Sequence, residues 1–443
     1  MQTASEEHRF SFQDERSKPV MSQEFLKDFH QVATIGATEN NGVDRQAATS
    51  EDKMTRDWFA LFARNAGWEL KVDSIGNMFA LIELRAGAPY ILLGSHLDSQ
   101  PLGGRFDGAY GVIAGLHAAK KIQERWNREE GRPAYNIGVV NWFNEEGGRF
   151  APSIMGSSVF SGLMNEQEML EVQDLDGVSV AQALSDIEYL GTDVGPEVAG
   201  YAEIHIEQGR ILERESIAIG AVDYSWHTQK LDVEVLGEQS HTGATAMADR
   251  HDALVAASKV VLKVHEVVQH FEEESIVSSV GRLVLEPNSP IVVARRVHLV
   301  ADLRAVDKFT VLEARRVLLE QIAEIAEEHD IRILVNDFDI REIQEYPEPG
   351  ISLTERVCAD LGLSVRRLRT MAGHDSVAMN KIAPTVMMFI PSIDGVSHCE
   401  REFSTDRDMC EGLRVLTEVG FRMSAGQLVE RPELAGAASV RER

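Results

Sequence analysis

A chain of 443 residues, 44% hydrophobic and 26% charged, is long enough for more than one core and reads as globular throughout. Its formal net charge of -27 repels phosphate backbones and anionic lipid surfaces, which argues against nucleic-acid and membrane partners. The three cysteines, Cys358, Cys399 and Cys410, have no CxxC spacing, so neither a disulfide framework nor a thiolate zinc site is expected, and a reducing, cytoplasmic setting fits best.

In chain order, MQTASEEHRFSFQDERSKP lacks the apolar stretch of a signal peptide and reads as a tail, as does the closing VERPELAGAASVRER. YILLG at 90–94 predicts a buried strand, and the following YGVIAGLHAAKKIQERW has helical apolar spacing. IGVVNWF at 137–143, YAEIHIE at 201–207 and TVMMFI at 385–390 predict further strands, each running straight into polar residues. The longest apolar run, APTVMMFIP at 383–391, is about half of what a membrane span needs and ends in proline. Short apolar runs alternating with helical patterns predict an α/β fold with a mostly parallel sheet.

The texture changes after RILERES. WHTQKLDVEVLG, HDALVAASKVVLKVHEVV, SIVSSVGRLVLE, RVHLVADLR, KFTVLEARRVLLEQIAEIAEEH and IRILVNDFDIREI follow in turn, a βαββαβ pattern that predicts a second small sheet with helices on one face. We read it as an inserted α+β domain over 214–345. The first domain is then discontinuous, comprising 1–213 and 346–443.

The chemistry falls at strand ends. His96 and Asp98 follow YILLG, Glu145 and Glu146 follow IGVVNWF, His205 lies in HIEQG, and His398 comes after TVMMFI. In an open parallel sheet the ligand crevice lies outside the carboxyl ends of the strands, so these groups can converge there. Taken singly, a strand-end histidine is more often a hydrogen-bonded structural residue, and paired glutamates are more often a solvated loop. Histidines and carboxylates at four strand ends, within glycine-rich turns, instead make the ligand set of a catalytic zinc, manganese or cobalt site. Asp98, two residues after His96, either fixes the imidazole tautomer or caps the next turn.

GSHLDSQPLGGRFDGAYGV, FNEEGGRF, HIEQG, SHTGATAMADRHDAL, AGHDS and IPSIDGVSHCE together resemble the amidase, hydantoinase and carbamoylase family, over about residues 30–425. Its members include N-carbamoyl-L-amino acid amidohydrolases, allantoate amidohydrolases and ureidopropionases, within the di-metal aminoacylase and carboxypeptidase clan. The resemblance implies a di-metal peptidase-like catalytic domain with two divalent ions (zinc, manganese, cobalt or nickel). By it, Asp107 bridges the ions, His96 and His205 hold one, and Glu146 and His398 hold the other. Glu145 stands in the place of the general base. The insert corresponds to a lid that forms a homodimer, and His241 to a histidine that reaches the partner's active site and stabilises the oxyanion. Gln208, Arg304, Asn288 and Gly373 fall at or beside substrate-binding positions, Arg304 in the place of the arginine that pairs with a substrate carboxylate. From position alone, Arg304 reads as a surface arginine at a strand end.

Some residues depart from the family pattern. Ile291 stands where the family has a substrate-contacting asparagine and Ala294 where it has proline, while Thr242 and Ala246 replace an alanine and a proline beside His241. An apolar side chain cannot replace an amide's hydrogen bonds. Asn288 restores that contact only if its loop shifts. His374 and Asp375 are expected near the substrate without binding metal, Cys399 is expected to point away from His398 on an extended segment, and Arg105 and Arg149 are undecided between loops and substrate. The expected activity is hydrolysis of a linear C–N bond in N-carbamoyl amino acids or ureido acids. The competing readings are an N-acyl amino acid or dipeptide hydrolase and a non-catalytic metal-binding scaffold.

Overall fold

The four apolar runs that precede the candidate ligands lie side by side in the middle of one eight-stranded sheet. The computed structural model describes residues 22–129 and 131–428, so the two tails read from the sequence lie outside the described residues. Across this sheet the strands run Glu69–Val72, Met78–Ile82, Asn136–Trp142, Tyr90–His96, Val198–Ile206, Thr385–Ile390, Ile219–Ser225 and Val365–Thr370. Asn136–Trp142, Tyr90–His96, Val198–Ile206 and Thr385–Ile390 are mutually parallel, and antiparallel pairings occur towards the two edges. Asn136–Trp142 and Thr385–Ile390 are buried at every position, which is why they read as unbroken apolar runs.

Helix Ala109–Trp126 covers one face of the sheet, and its Val112, Ile113, Leu116 and Ile122 are fully buried beside Leu413, Leu416 and Val419 of helix Asp406–Ser424. On the other face Phe79, Leu92, Val140, Trp142, Tyr201 and Met379 form a separate apolar layer. Burying side chains of this size is worth about 1.5–3 kcal/mol each, so much of the stabilisation is concentrated at the middle of the sheet. Parallel order places His96, the segment after Trp142 and His205 at the same sheet edge.

A second sheet of four antiparallel strands runs Arg332–Arg341, His227–Leu236, Arg296–Ala305 and Ile276–Glu286. Alternate residues Leu231, Val233, Val235, Val297, Leu299 and Leu303 are fully buried in a core of their own with helices Ala253–Glu266 and Lys308–Glu328. Within the expected insert 214–345, strand Ile219–Ser225 hydrogen-bonds into the larger sheet, and the second sheet begins at His227. Its apolar IGAV pairs there with Val365–Thr370. Among the described residues no helix is long and apolar enough to cross a membrane.

Candidate active site

His96 ends its strand with the ring buried, and His205 lies one residue before the end of its own. His96 Nδ1 lies 3.0 Å from the Asp98 carbonyl and His205 Nδ1 2.9 Å from the Ile206 carbonyl. A carbonyl only accepts, so each Nδ1 carries the hydrogen and each Nε2 keeps its lone pair for a ligand. The main-chain N–H of Gly108 donates to His205 Nε2 at 3.1 Å, in keeping with that tautomer.

Asp107 sits just before helix Ala109–Trp126. Its Oδ1 is 2.8 Å from His205 Nε2 and 3.6 Å from His96 Nε2, and its Oδ2 is 3.3 Å from His398 Nε2. His398 is also 3.2 Å from Glu146 Oε2. Two groups result, His96–Asp107–His205 and Asp107–Glu146–His398, each with its candidate ligand atoms within 4.8 Å of one another and both using Asp107. Gly108, between Asp107 and the helix, has φ 63°, and a Cβ there would lie 2.3 Å from His96 Cε1, so only glycine lets the loop pass the imidazole.

At His96 the Asp98 carbonyl lies nearer Nδ1 than the Asp98 carboxylate, which is 3.6 Å away. The carboxylate's two oxygens accept the main-chain N–H groups of Glu145 and Glu146, both at 3.3 Å, and so hold the pair in the site. Glu146 is further tied by Gln100, whose Nε2 donates to its carboxylate at 3.0 Å and to its carbonyl at 2.9 Å. Glu145 Oε2 is 3.5 Å from His96 Nε2.

The electrostatics ask for positive charge. Burial opposes a charge on His205, but Asp107 and Glu203 outweigh it and lift the pKa to about 9. Burial is likewise overcome at His398, raised to about 10 by Glu146 and Asp107, and at His96, raised well above its ordinary value by Glu145, Asp107 and Asp98. Burial would push Asp107 up, yet His205, His398 and His96 hold it well below the usual carboxylate range. Glu145 is driven well above that range by burial and by Asp375, Glu146 and Asp107, against the pull of His96. Three imidazoles among four clustered carboxylates (Asp98, Asp107, Glu145 and Glu146) thus fit divalent cations in donor type and in charge.

The other expected residues are placed less uniformly. Gln208, with φ 58°, donates its Nε2 hydrogen to Asp107 Oδ2 at 2.6 Å, while its buried Oε1 has no partner. Arg304 is held by Asp302 and donates to the Met371 carbonyl at 3.1 Å, so it is not the free surface arginine its strand position suggested. Gly373 is pressed by Arg341, whose Nη1 would lie 2.2 Å from an added Cβ. Arg304 and Arg341 occupy one row of the second sheet, either side of Thr228. Asn288 and Ile291 are exposed, and Thr242 donates its N–H to the Ile291 carbonyl at 3.5 Å, so two of the departures from the family pattern meet beside His241. His241 is exposed, its Nδ1 accepts N–H groups from Gly243 and Ala244, and none of its hydrogen bonds reaches the buried cluster.

His374 packs edge-on against His205 with ring centroids 4.6 Å apart, and burial, reinforced by His205, holds its pKa well below the ordinary value. His398 is not on an extended segment, as the expectation for Cys399 required, but has φ 54° within a turn. Arg149 bonds to Asp174 and to the carbonyls of Ala47 and Ala48, which makes it a loop brace. Gln100, Ser397 and Glu402 were not foreseen. Glu402 accepts the N–H groups of Phe106 and Asp107 at 2.9 and 3.0 Å, and burial together with Asp107 raises its pKa to about 7. Their residue types are common in loops, and only the fold brings them to the cluster.

Imidazoles and carboxylates gathered at the carboxyl edge of a mostly parallel sheet, with a second sheet inserted in the chain, define a metal-dependent hydrolase of amide bonds. Residues 92–420 match the peptidase family M20/M25/M40, and the chain belongs to that family. It is 45% identical over 412 residues to a protein of Mycolicibacterium smegmatis named only as a hydrolase, covering 92% of this chain and 94% of that one. It is 31% identical to an N-carbamoyl-L-amino acid amidohydrolase of Geobacillus stearothermophilus, covering 92% of this chain and all of the relative. The crystal structure of an amidase of the hydantoinase/carbamoylase family from Burkholderia vietnamiensis superimposes with a TM-score of 0.87 at 33% identity, over 91% of this chain and 97% of that one. The resemblance read from the motifs is borne out.

Proposed function

We propose that this enzyme hydrolyses the linear C–N bond of N-carbamoyl amino acids or ureido acids. The observation that carries the reading is Asp107, one buried carboxylate shared by two ligand groups, with Glu145 beside both and bound to neither. His96, His205 and Asp107 would hold one divalent ion and Asp107, Glu146 and His398 another, from zinc, manganese, cobalt or nickel. Two such ions, when bound, supply Lewis acidity to a water and to the substrate carbonyl.

The protein's own groups do the rest. Glu145 accepts the proton of the attacking water, since its buried, anion-crowded carboxyl binds a proton readily, and returns it to the leaving nitrogen. The bond between the carbamoyl carbon and the substrate nitrogen breaks, releasing the amine and a carbamate that decomposes to carbon dioxide and ammonia. Arg304 would pair with the substrate carboxylate, and Gln208, Asn288 and Gly373 would line the same path. His241 would donate Nε2–H to the developing oxyanion, a role supported by the two main-chain N–H groups that occupy its Nδ1. Because none of the hydrogen bonds of His241 among the described residues reaches the cluster of its own chain, we propose a homodimer through the second sheet, in which it acts on the partner's site. Three free cysteines suit a cytoplasmic enzyme.

A second reading, an N-acyl amino acid or dipeptide hydrolase, is favoured by Ile291, apolar and 67% exposed where the family has an amide. One screen decides between them. Metal-reconstituted enzyme is offered N-carbamoyl amino acids, ureidopropionate, allantoate and N-acyl amino acids; ammonia release from the ureides without cleavage of the acyl compounds is expected. Cleavage of acyl substrates alone would establish the second reading instead.

A further inference from the structure

Glu402 is a buried carboxylate with no lysine or arginine ion-paired to it among the described residues. Such a group is costly to keep unless its oxygens are fully used, and these are. Oε1 accepts the main-chain N–H groups of Phe106 and Asp107. Oε2 faces the Ser397 hydroxyl at 2.7 Å, and that hydroxyl also lies 2.8 Å from Asp107 Oδ2, so its single proton is shared between the two carboxylates. Gly104 makes the approach possible, since a Cβ there would fall 1.9 Å from Glu402 Oε1.

We infer that Glu402 is a positioning residue: one carboxylate clamps the loop carrying Asp107 to the turn carrying His398 and sets their separation. The inference rests on the proposed metal roles of Asp107 and His398. Its consequence is selective. His96 and His205 are fixed by the carbonyls of Asp98 and Ile206, and Glu146 by Gln100 and Asp98, without help from Glu402. Glu402 ties the Asp107 loop to the His398 turn through Ser397. Asp107 belongs to both groups, but its Oδ1 stays 2.8 Å from His205 Nε2, so the Asp107–Glu146–His398 group should suffer more on the loss of Glu402 than His96–Asp107–His205.

The test is a titration of the full chain with Mn2+ or Zn2+ alone, by calorimetry and bound-metal analysis, on wild type, Glu402→Gln and Glu402→Ala. Wild type is expected to bind two ions. Glu402→Gln should keep both, because its amide oxygen still accepts the two N–H groups and its NH2 can donate to Ser397. Glu402→Ala should weaken one ion tenfold or more and the other distinctly less, with the chelated protein still folded. If Glu402→Ala fails to fold, Ser397→Ala removes the tie of Glu402 to the turn, together with the Ser397 bonds to Asp107 and Gln208, and should weaken the same ion. Two ions bound at wild-type strength by Glu402→Ala or Ser397→Ala, or equal weakening of both, overturns the inference while leaving the dinuclear reading intact. A wild type that binds a single ion sinks the dinuclear reading itself, and this inference with it.

Discussion

Glu145 and Glu146 are neighbours in sequence with different surroundings. Glu146 is tied by Gln100 and faces His398, whereas the Glu145 carboxylate lies 3.5 Å from His96, with the fields of Asp375, Glu146 and Asp107 around it. A carboxylate tied on several sides is suited to hold an ion, and one left loose and proton-hungry is suited to move a proton. Glu145→Gln keeps the shape but removes the base, so turnover should fall by roughly 10²–10⁴-fold while metal content stays at the wild-type level. Steady-state rates and metal analysis on the same preparation check this; a variant that retains activity would remove Glu145 from the role. At this scale the sequence was partly legible. Histidines and acids at strand ends carry their own signal, because few structural reasons put them all in glycine-rich turns. Gln100, Ser397 and Glu402 carry none, because their work is a hydrogen bond to a residue distant in sequence or hidden in a loop. Asp98 was read for its side chain, and its carbonyl lies nearer the imidazole.

At the scale of elements, the parallel strands were legible because burial on both faces forces continuous apolar runs, as in Thr385–Ile390. The second sheet was legible for the opposite reason, one covered face and alternating burial along Gln229–Leu236. Edge strands were not. Glu69–Val72 is short and has no buried residue, so it shows neither pattern. Strand Ile219–Ser225 fell inside the expected insert 214–345, and its pairing with Val365–Thr370 shows that it belongs to the larger sheet. The tightest junction is the start of helix Ala109–Trp126, where Gly108 must take φ 63° and leave room for the His96 ring. In Gly108→Ala the new methyl meets both demands badly. We expect a stability loss of about 1–3 kcal/mol in the chelated protein from the strained backbone. The displaced His96 should also bind its ion at least about tenfold more weakly, equivalent to about 1.4 kcal/mol. Denaturant unfolding with chelator and a metal titration separate the two effects. Wild-type metal affinity in this variant would show that the loop accommodates the methyl without moving the imidazole.

At the scale of the whole molecule, the second sheet turns its helices away from the polar row that carries Thr228, Arg304 and Arg341, and this row braces the 371–373 segment beside the candidate site. His241, by contrast, is exposed, and among the described residues none of its hydrogen bonds reaches the buried cluster. In the homodimer proposed above, the site it serves belongs to another copy of the chain. A closed two-fold dimer makes that exchange reciprocal, each protomer lending one histidine and receiving one. The consequence can be measured by complementation. Glu145→Gln and His241→Ala protomers are each expected to be nearly inactive as homodimers, the second losing about 10²–10³-fold with the oxyanion donor. Mixed and re-equilibrated, half of the dimers are heterodimers, and in each of these one site has an intact Glu145 together with an intact His241 from its neighbour. Activity should then return to about a quarter of the wild-type value per site, by the statistics of random pairing in a two-fold dimer. If His241 acted within its own chain, every site in the mixture would carry one defect and no activity would return. Native mass spectrometry of the mixture, with one variant isotopically labelled, checks that the protomers have exchanged, so an unrecovered rate counts against the shared site itself.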